Sequence, residues 1–202
     1  MKRILTLIVC ILMLFSLTSC SLIKKYKYSI HDAVEGFSID GDGVLVYNDI
    51  KYYLVEETNG DCNVDIQGES IDLGWVSNFP FPGFQFYTNT DEHPEFITGG
   101  PGSVAYLRAD IYDNGIIYAL EDDTFEFEFS SAFIKTDKVN HKKHVKKNKY
   151  TRKETITFYI KDIPEIKASK TIYLIDNVWY SIDKGAKIGY QLSDELVSKL
   201  PL

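Results

Sequence analysis

Asp91-Glu92-His93-Pro94-Glu95 places three carboxylates and an imidazole within five residues. Side chains of these types could hold a hard cation through their oxygens, or supply a general acid and a general base. The spacing fits no known ligand loop, so Asp91, Glu92, His93 and Glu95 are the one cluster through which a hydrolase with dispersed carboxylates would act. Asp40-Gly41-Asp42-Gly43 begins like a calcium loop, but Val44 takes the next ligand position and Lys51 stands where the bidentate glutamate belongs. It is expected to be a turn. Gly99-Gly100-Pro101-Gly102 lacks the Gly-Lys-Ser/Thr ending of a phosphate loop and is also expected to turn the chain. His141 and His144 have the gap of a chelating pair, yet lysines surround them and repel a divalent cation. No Gly-x-Ser-x-Gly, His-Glu-x-x-His or Cys-x-x-Cys occurs in the chain. The sequence therefore predicts no catalytic residue, no metal and no cofactor, and favours binding over turnover.

Two stretches have the chemistry of binding surfaces. Trp75 to Phe84 concentrates aromatics beside two prolines, and Trp75, Phe79, Phe81 and Phe84 could form a rigid stacking platform for a sugar or a peptide. The competing expectation is a buried corner of the core, since aromatic side chains are the main core-filling residues of a β domain this rich in Tyr and Phe. Lys138 to Lys153 carries eight Lys/Arg and no acid, among them Lys142, Lys143, Lys146 and Lys147. Such a run suits anionic lipid or wall polymer, or is a solvated hairpin loop between Ile134 and Thr155 whose charge serves solubility.

Both stretches must be positioned by a fold whose texture is β. Short runs of Val, Ile, Tyr, Phe and Thr recur from Phe37 onward, broken by Gly, Asn, Asp and Pro. Val44–Tyr47 and Ile50–Val55 flank Asn48-Asp49 and predict a tight hairpin, as Thr171–Ile175 and Val178–Ile182 do around Asp176-Asn177. Further strands are expected at 64–66, 71–76, 84–87, 104–112, 116–120 and 155–160. Phe125-Glu126-Phe127-Glu128-Phe129 alternates strictly, placing three phenylalanines on one face and two glutamates on the other. Asp113-Asn114 resembles the two hairpin turns and lies 65 and 63 residues from them. Asx-rich turns are common in any β chain, so this spacing is expected to be coincidence. Ser193 followed by Asp194 and Glu195 predicts a short helix that Pro201 stops. The expected fold is mainly β, an antiparallel sandwich or barrel-like sheet with a short C-terminal helix.

The N-terminus supplies an address. Met1 to Arg3 is basic, Ile4 to Leu17 is a 14-residue apolar run, and Lys24, Lys25 and Lys27 follow too soon for a spanning helix. Leu17-Thr18-Ser19-Cys20 resembles the lipobox of bacterial lipoproteins. The resemblance implies cleavage before Cys20 and a diacylglyceryl thioether on its sulfur, and it covers only these twenty residues. An ordinary signal peptide cut near Ser19, with Cys20 incidental, and a short uncleaved anchor are the alternatives. Two acyl chains suffice for stable anchoring where one does not. The organisation that follows is a signal peptide over 1–19, a lipidated tether over 20–30 and one extracytoplasmic β-rich domain over 31–202.

With Cys10 removed and Cys20 acylated, Cys62 is left alone, expected as a small buried hydrophobe; an unmodified Cys20 would instead leave a Cys20–Cys62 bridge open. Loss of Lys2 and Arg3 leaves 20 basic against 29 acidic side chains, a charge of −9, which argues against nucleic acid as a partner. The sequence thus predicts a non-catalytic binding or interaction module at the cell envelope, held at the membrane through Cys20. Anionic lipid, wall polymer or another envelope protein are its candidate partners. An extracytoplasmic hydrolase and an immunity-type envelope lipoprotein are the alternatives.

Overall fold

The computed structural model describes residues 29–202 except 41–43, 59–61, 79–80, 101–102, 123, 137, 147–148 and 184. It is mainly β: two curled antiparallel sheets form a sandwich or barrel-like body with a few short helices, as the sequence predicts. The first sheet takes β1 (Ser29–His31), β2 (Phe37–Ile39), β3 (Leu45–Tyr47), β4 (Ile50–Leu54), β6 (Ser70–Asn78), β7 (Phe81–Asn89), β8 (Phe96–Gly99) and β9 (Val104–Arg108) in the order β1-β6-β7-β8-β9-β4-β3-β2. The second runs β11 (Glu126–Glu128), β10 (Ile117–Leu120), β13 (Arg152–Ile160), β14 (Ile163–Ile175), β15 (Val178–Ile182), β16 (Gly189–Leu192) and β12 (Phe133–Thr136), and β5 (Cys62–Val64) joins it along β14.

Turn chemistry fixes two of the hairpins. Asn48 and Asp49 have φ of 49° and 64°, and Asp176 and Asn177 have 50° and 65°. Two consecutive left-handed residues match the right-handed twist of the flanking strands, and Asn and Asp tolerate that conformation better than other side chains with a Cβ. The third turn of similar sequence is different. The strand expected over 104–112 ends at Arg108, and α1 (Ala109–Asp113) follows it. Arg108 forks onto both carboxylate oxygens of Asp110, at 2.7 and 3.1 Å, and Gly115 at φ 89° ends the helix with its N–H on the Tyr112 carbonyl. A left-handed glycine just past the last turn is a helix-stop signal that the β texture of Val104–Tyr112 obscures. This turn carries the chain from the first sheet to the second.

The main core lies between the sheets. Val55, Phe96, Ala105 and Leu107 from the first meet Tyr118, Phe127, Phe158, Ile163, Ile166 and Ile172 from the second. A second cluster, with Leu45, Tyr52, Leu73, Phe86 and Ile97, fills the curl of the first sheet. Phe96 and Ile97 are neighbours in β8 and point into different cores, so β8 is buried on both faces. Phe127 is buried between exposed Glu126 and Glu128, and Phe125 and Phe129 pack against the same core, which is the division that the alternation predicts. The strand itself is shorter than expected, because Phe129 opens α2 (Phe129–Ala132).

The segment expected as a hairpin loop between Ile134 and Thr155 is not one. β12 pairs with β16 and β13 pairs with β10 and β14, so the connection crosses the sheet instead of folding back. It contains α3 (His141–Lys146), and Val139 seats it on a small cluster with Ile175 and Ile182. Apolar Val139, Val145 and Tyr150 among the lysines are what hold it down. The C-terminal helix α4 (Asp194–Lys199) is capped as predicted: the Leu196 N–H donates to Ser193 Oγ at 3.2 Å, and Leu196 is fully buried.

Glycine is the better residue at the second position of both hairpin turns. Asp49→Gly and Asn177→Gly should each raise stability by about 0.5 to 1 kcal/mol, reversing the usual effect of glycine, because they relieve left-handed strain while Asn48 and Asp176 are kept. Urea unfolding midpoints check this; a lower midpoint for either variant contradicts the turn assignment.

Candidate ligand site at the seam between the sheets

Where the chain passes from one sheet to the other, elements of both leave a cavity of about 330 Å³. The 3-10 turn Glu56–Thr58 after β4 supplies Glu57, the end of α1 supplies Tyr112, Gly115 and Ile116, β10 supplies Tyr118, and the β11–α2 junction supplies Glu128, Phe129 and Ser130. Clefts of this size between packed units are common ligand sites, because two independently rigid walls can present convergent groups. Each wall is fixed from behind. Tyr112 packs on Tyr53 with ring centroids 5.2 Å apart, and Tyr118 is surrounded by Phe127, Phe129 and Phe158 at 5.2 to 6.1 Å.

The electrostatics are one-sided. Glu57 and Glu128 are the charged side chains lining the cavity, and Tyr118 donates its hydroxyl proton to Glu57 Oε2 at 3.2 Å. Burial, reinforced by the Glu57 carboxylate, pushes the Tyr118 phenol far above its ordinary value. Burial and the charges of Glu57, Glu56 and Asp113 raise Tyr112 as well. Both phenols therefore stay protonated and act as donors or as aromatic faces. Two carboxylates beside aromatic faces suit a cationic group on an apolar stem, through charge and ring quadrupole together.

Cys62 lies half-buried at the margin of the main core, in the short strand paired with β14. Burial pushes its thiol up to about 12, against the opposing effect of a hydrogen bond with Thr58. At neutral pH it is a thiol, not a thiolate.

The residues singled out in the sequence are not gathered into one site. Trp75 is half-buried: it stacks on His31 at a centroid distance of 4.2 Å, donates from Nε1 to Asp32 Oδ2 at 3.3 Å, and lies over Gly83, where an added Cβ would come within 2.4 Å of its ring. Phe84 is 54% exposed. The stretch expected as a proline-stiffened loop is instead the end of the long β6–β7 hairpin, whose register is irregular between Val76 and Asn78. Proline, which cannot donate to a ladder, is tolerated at such a point. Lys142 and Lys143 are exposed on α3, away from the seam lining. Cys20, Phe79 and Lys147 lie outside the described residues, as do the side chains of Phe81 and Lys146.

The acidic cluster at 91–95 contributes mainly backbone. Its carbonyls accept hydrogen bonds from Asn48 Nδ2 (Glu92), Tyr52 Oη (Pro94), and Arg108 Nη1 (His93) and N–H (Glu95), while the side chains of Asp91, Glu92, His93 and Glu95 are exposed. Among the described residues no group of three His, Cys, Asp or Glu could hold a metal ion. Sequence reasoning missed Glu57, Tyr112 and Tyr118. They come from three separate segments, and their one local signal, aromatics beside acids, recurs throughout the chain.

No family model, curated protein or solved structure matches this chain.

Cys62 should resist alkylation. At pH 8 the thiolate population is roughly a thousandfold below that of an unperturbed thiol, so iodoacetamide should leave the Cys62 peptide unmodified in the folded protein and label it rapidly in denaturant. Fast labelling of the folded protein would show the thiol to be activated.

Proposed function

We propose that the chain is a membrane-anchored extracytoplasmic lipoprotein that acts as a non-catalytic binding module at the cell envelope. The lipobox-like Leu17-Thr18-Ser19-Cys20, behind a basic start and a short apolar run, supports the anchor. The observation that carries the binding role is the seam cavity, with Glu57 and Glu128 set among Tyr112, Tyr118 and Phe129. Such a lining takes a ligand with an ammonium or similar cation on an apolar stem, either a small amine or a lysine side chain of another envelope protein. Phenols held protonated, Tyr118 buried and Tyr112 exposed, give recognition without a nucleophile.

Two measurements test the reading. Intact mass of protein extracted from membranes should show loss of residues 1 to 19 and addition of a diacylglyceryl group at Cys20; an unmodified cysteine overturns the anchor. For the cavity, titration of the full chain in detergent with alkylamines and Nα-acetyl-lysine methylamide, followed by tyrosine fluorescence, should give saturable binding. Glu57→Gln should weaken it by about tenfold, the worth of one charged hydrogen bond. Binding that the Glu57→Gln and Glu128→Gln variants leave unchanged, or no binding by any amine, removes the cavity as the site.

A further inference from the structure

On one of its two sides β13 is paired along only part of its length. β14 follows it from Arg152 to Ile160, whereas β10 opposes only Phe158, Tyr159 and Ile160. One step further the Glu121 N–H donates to the Thr157 carbonyl at 3.2 Å, and the chain then turns back into β11 on the other side of β10. Backbone groups alternate sides along a strand, so the N–H and C=O of Lys153 and Thr155 point the same way as those of Thr157, off the edge of the sheet. Among the described residues no backbone group bonds to them, and both side chains are exposed. A strand inside the second sheet thus has an open edge, the kind of surface that accepts an extended chain.

A pocket adjoins this edge. The turn after β10, the middle of β13 and the end of α4 enclose a cavity of about 250 Å³. Buried Leu120, Ile156 and Leu200, with Pro201, give it an apolar lining to which exposed Asp122 and Lys199 are added. Its remaining acid, Glu121, is held by Lys167 at 2.7 Å. Ile156 and Glu154 share one face of β13, and Lys153 and Thr155 the other. Charge narrows the occupant. Arg152 and Glu154 pair with each other at 3.0 Å, while no carboxylate pairs with Lys153 among the described residues. A second copy fits badly, because a twofold pairing that uses the outward groups of Lys153 and Thr155 must place its axis on Lys153, Glu154 or Thr155. The first sets Lys153 against Lys153 and the second Glu154 against Glu154. The third sets Lys153 against Thr157, whose carbonyl Glu121 already occupies. The chain's own stretch from Ser21 to Tyr28 fits no better, since it carries Lys24, Lys25 and Lys27 and no acid.

We propose that the open edge of β13 takes up, as an added antiparallel strand, an extended segment of another protein in which an apolar residue precedes an acidic one by three positions. The backbone of Lys153 and Thr155 supplies the ladder bonds, and side-chain pockets give such pairing its specificity. The apolar residue lies opposite Ile156 and fills the cavity toward Leu200, and the acid lies opposite Lys153 on the outer face. This surface shares no residue with the seam cavity and needs no anchor at Cys20.

The test is amide hydrogen exchange of the full chain in detergent with the capped peptide acetyl-Thr-Leu-Thr-Val-Glu-Thr-amide, whose leucine and glutamate have the required spacing. At a peptide concentration about ten times the binding midpoint, exchange at Lys153 and Thr155 should slow about tenfold. A peptide with lysine in place of glutamate, and one N-methylated at its third residue, should each bind about tenfold more weakly or worse. Thr155→Pro should abolish the protection at Lys153 and leave the urea midpoint close to that of the unmutated protein, because proline is tolerated where the N–H faces away from the ladder. If that variant fails to fold, the N-methylated peptide decides the same point. Unchanged exchange at both amides up to about 1 mM peptide, where even a weak complex forms, overturns the inference. Equal binding of the N-methylated or the lysine peptide overturns it too. Protection that rises with protein concentration and without peptide identifies a second copy as the occupant, and so overturns it as well.

Discussion

The structure depends on the β8–β9 pair being buried on both faces. Phe96, Ala105 and Leu107 face the second sheet, while Ile97 and Tyr106 face the interior of the first sheet's own curl. A strand pair with two apolar faces has nowhere to go except between two cores. It forces the first sheet to curl on one side and to accept a second sheet on the other. Thr98, almost fully buried, donates its hydroxyl to the Val104 carbonyl, and Thr88 donates to the Phe96 carbonyl at 2.7 Å, so the polar atoms in this wall are satisfied locally. A charge at Leu107 would therefore enter the core between the sheets, and one at Ile97 the core inside the first sheet's curl.

The seam cavity follows from how the chain leaves that wall. At Arg108 the ladder of β9 stops, and the guanidinium is committed to Asp110 and to the His93 carbonyl. The short helix that results turns the backbone toward the second sheet, and the following residues, Gly115 and Ile116, form part of the cavity lining. Glu57 arrives from the turn after the neighbouring strand, and Tyr118 from β10 of the other sheet. Connection geometry and ligand geometry are thus the same geometry, and Arg108 is the residue that joins the acidic 91–95 connection to the start of α1.

Much of the fold is legible in the sequence, for identifiable reasons. The two left-handed Asx turns and the Phe-Glu alternation are local: the residues that determine the conformation are the residues that adopt it. The failures are non-local or lie at a switch. Ala109–Asp113 reads as strand because Ile111 and Tyr112 favour strands, and only the pairing that ends at Arg108 makes it helix. The basic segment reads as solvated because its charges outnumber the three apolar residues that pin it. Phe84 and Trp75 lie nine residues apart in one aromatic run, yet differ in exposure: Trp75 stacks on His31 over Gly83, while Phe84, opposite Val76, is 54% exposed. Glu57, Tyr112 and Tyr118 converge only after two sheets have packed, and no window along the chain contains all three.

The short strand β5 has a consequence for the order in which the molecule can be completed. Its residues belong to the first half of the sequence, but their ladder partners, Ile166 to Ala168, are made roughly a hundred residues later. A chain that emerges N-terminus first therefore holds Cys62 and Val64 without their ladder partners until β14 has been made. Pairing of so distant a segment is a slow kind of closure, because the intervening chain must be ordered first. A truncation short of β14 would remove the strand to which β5 is hydrogen-bonded and leave its ladder edge unpaired.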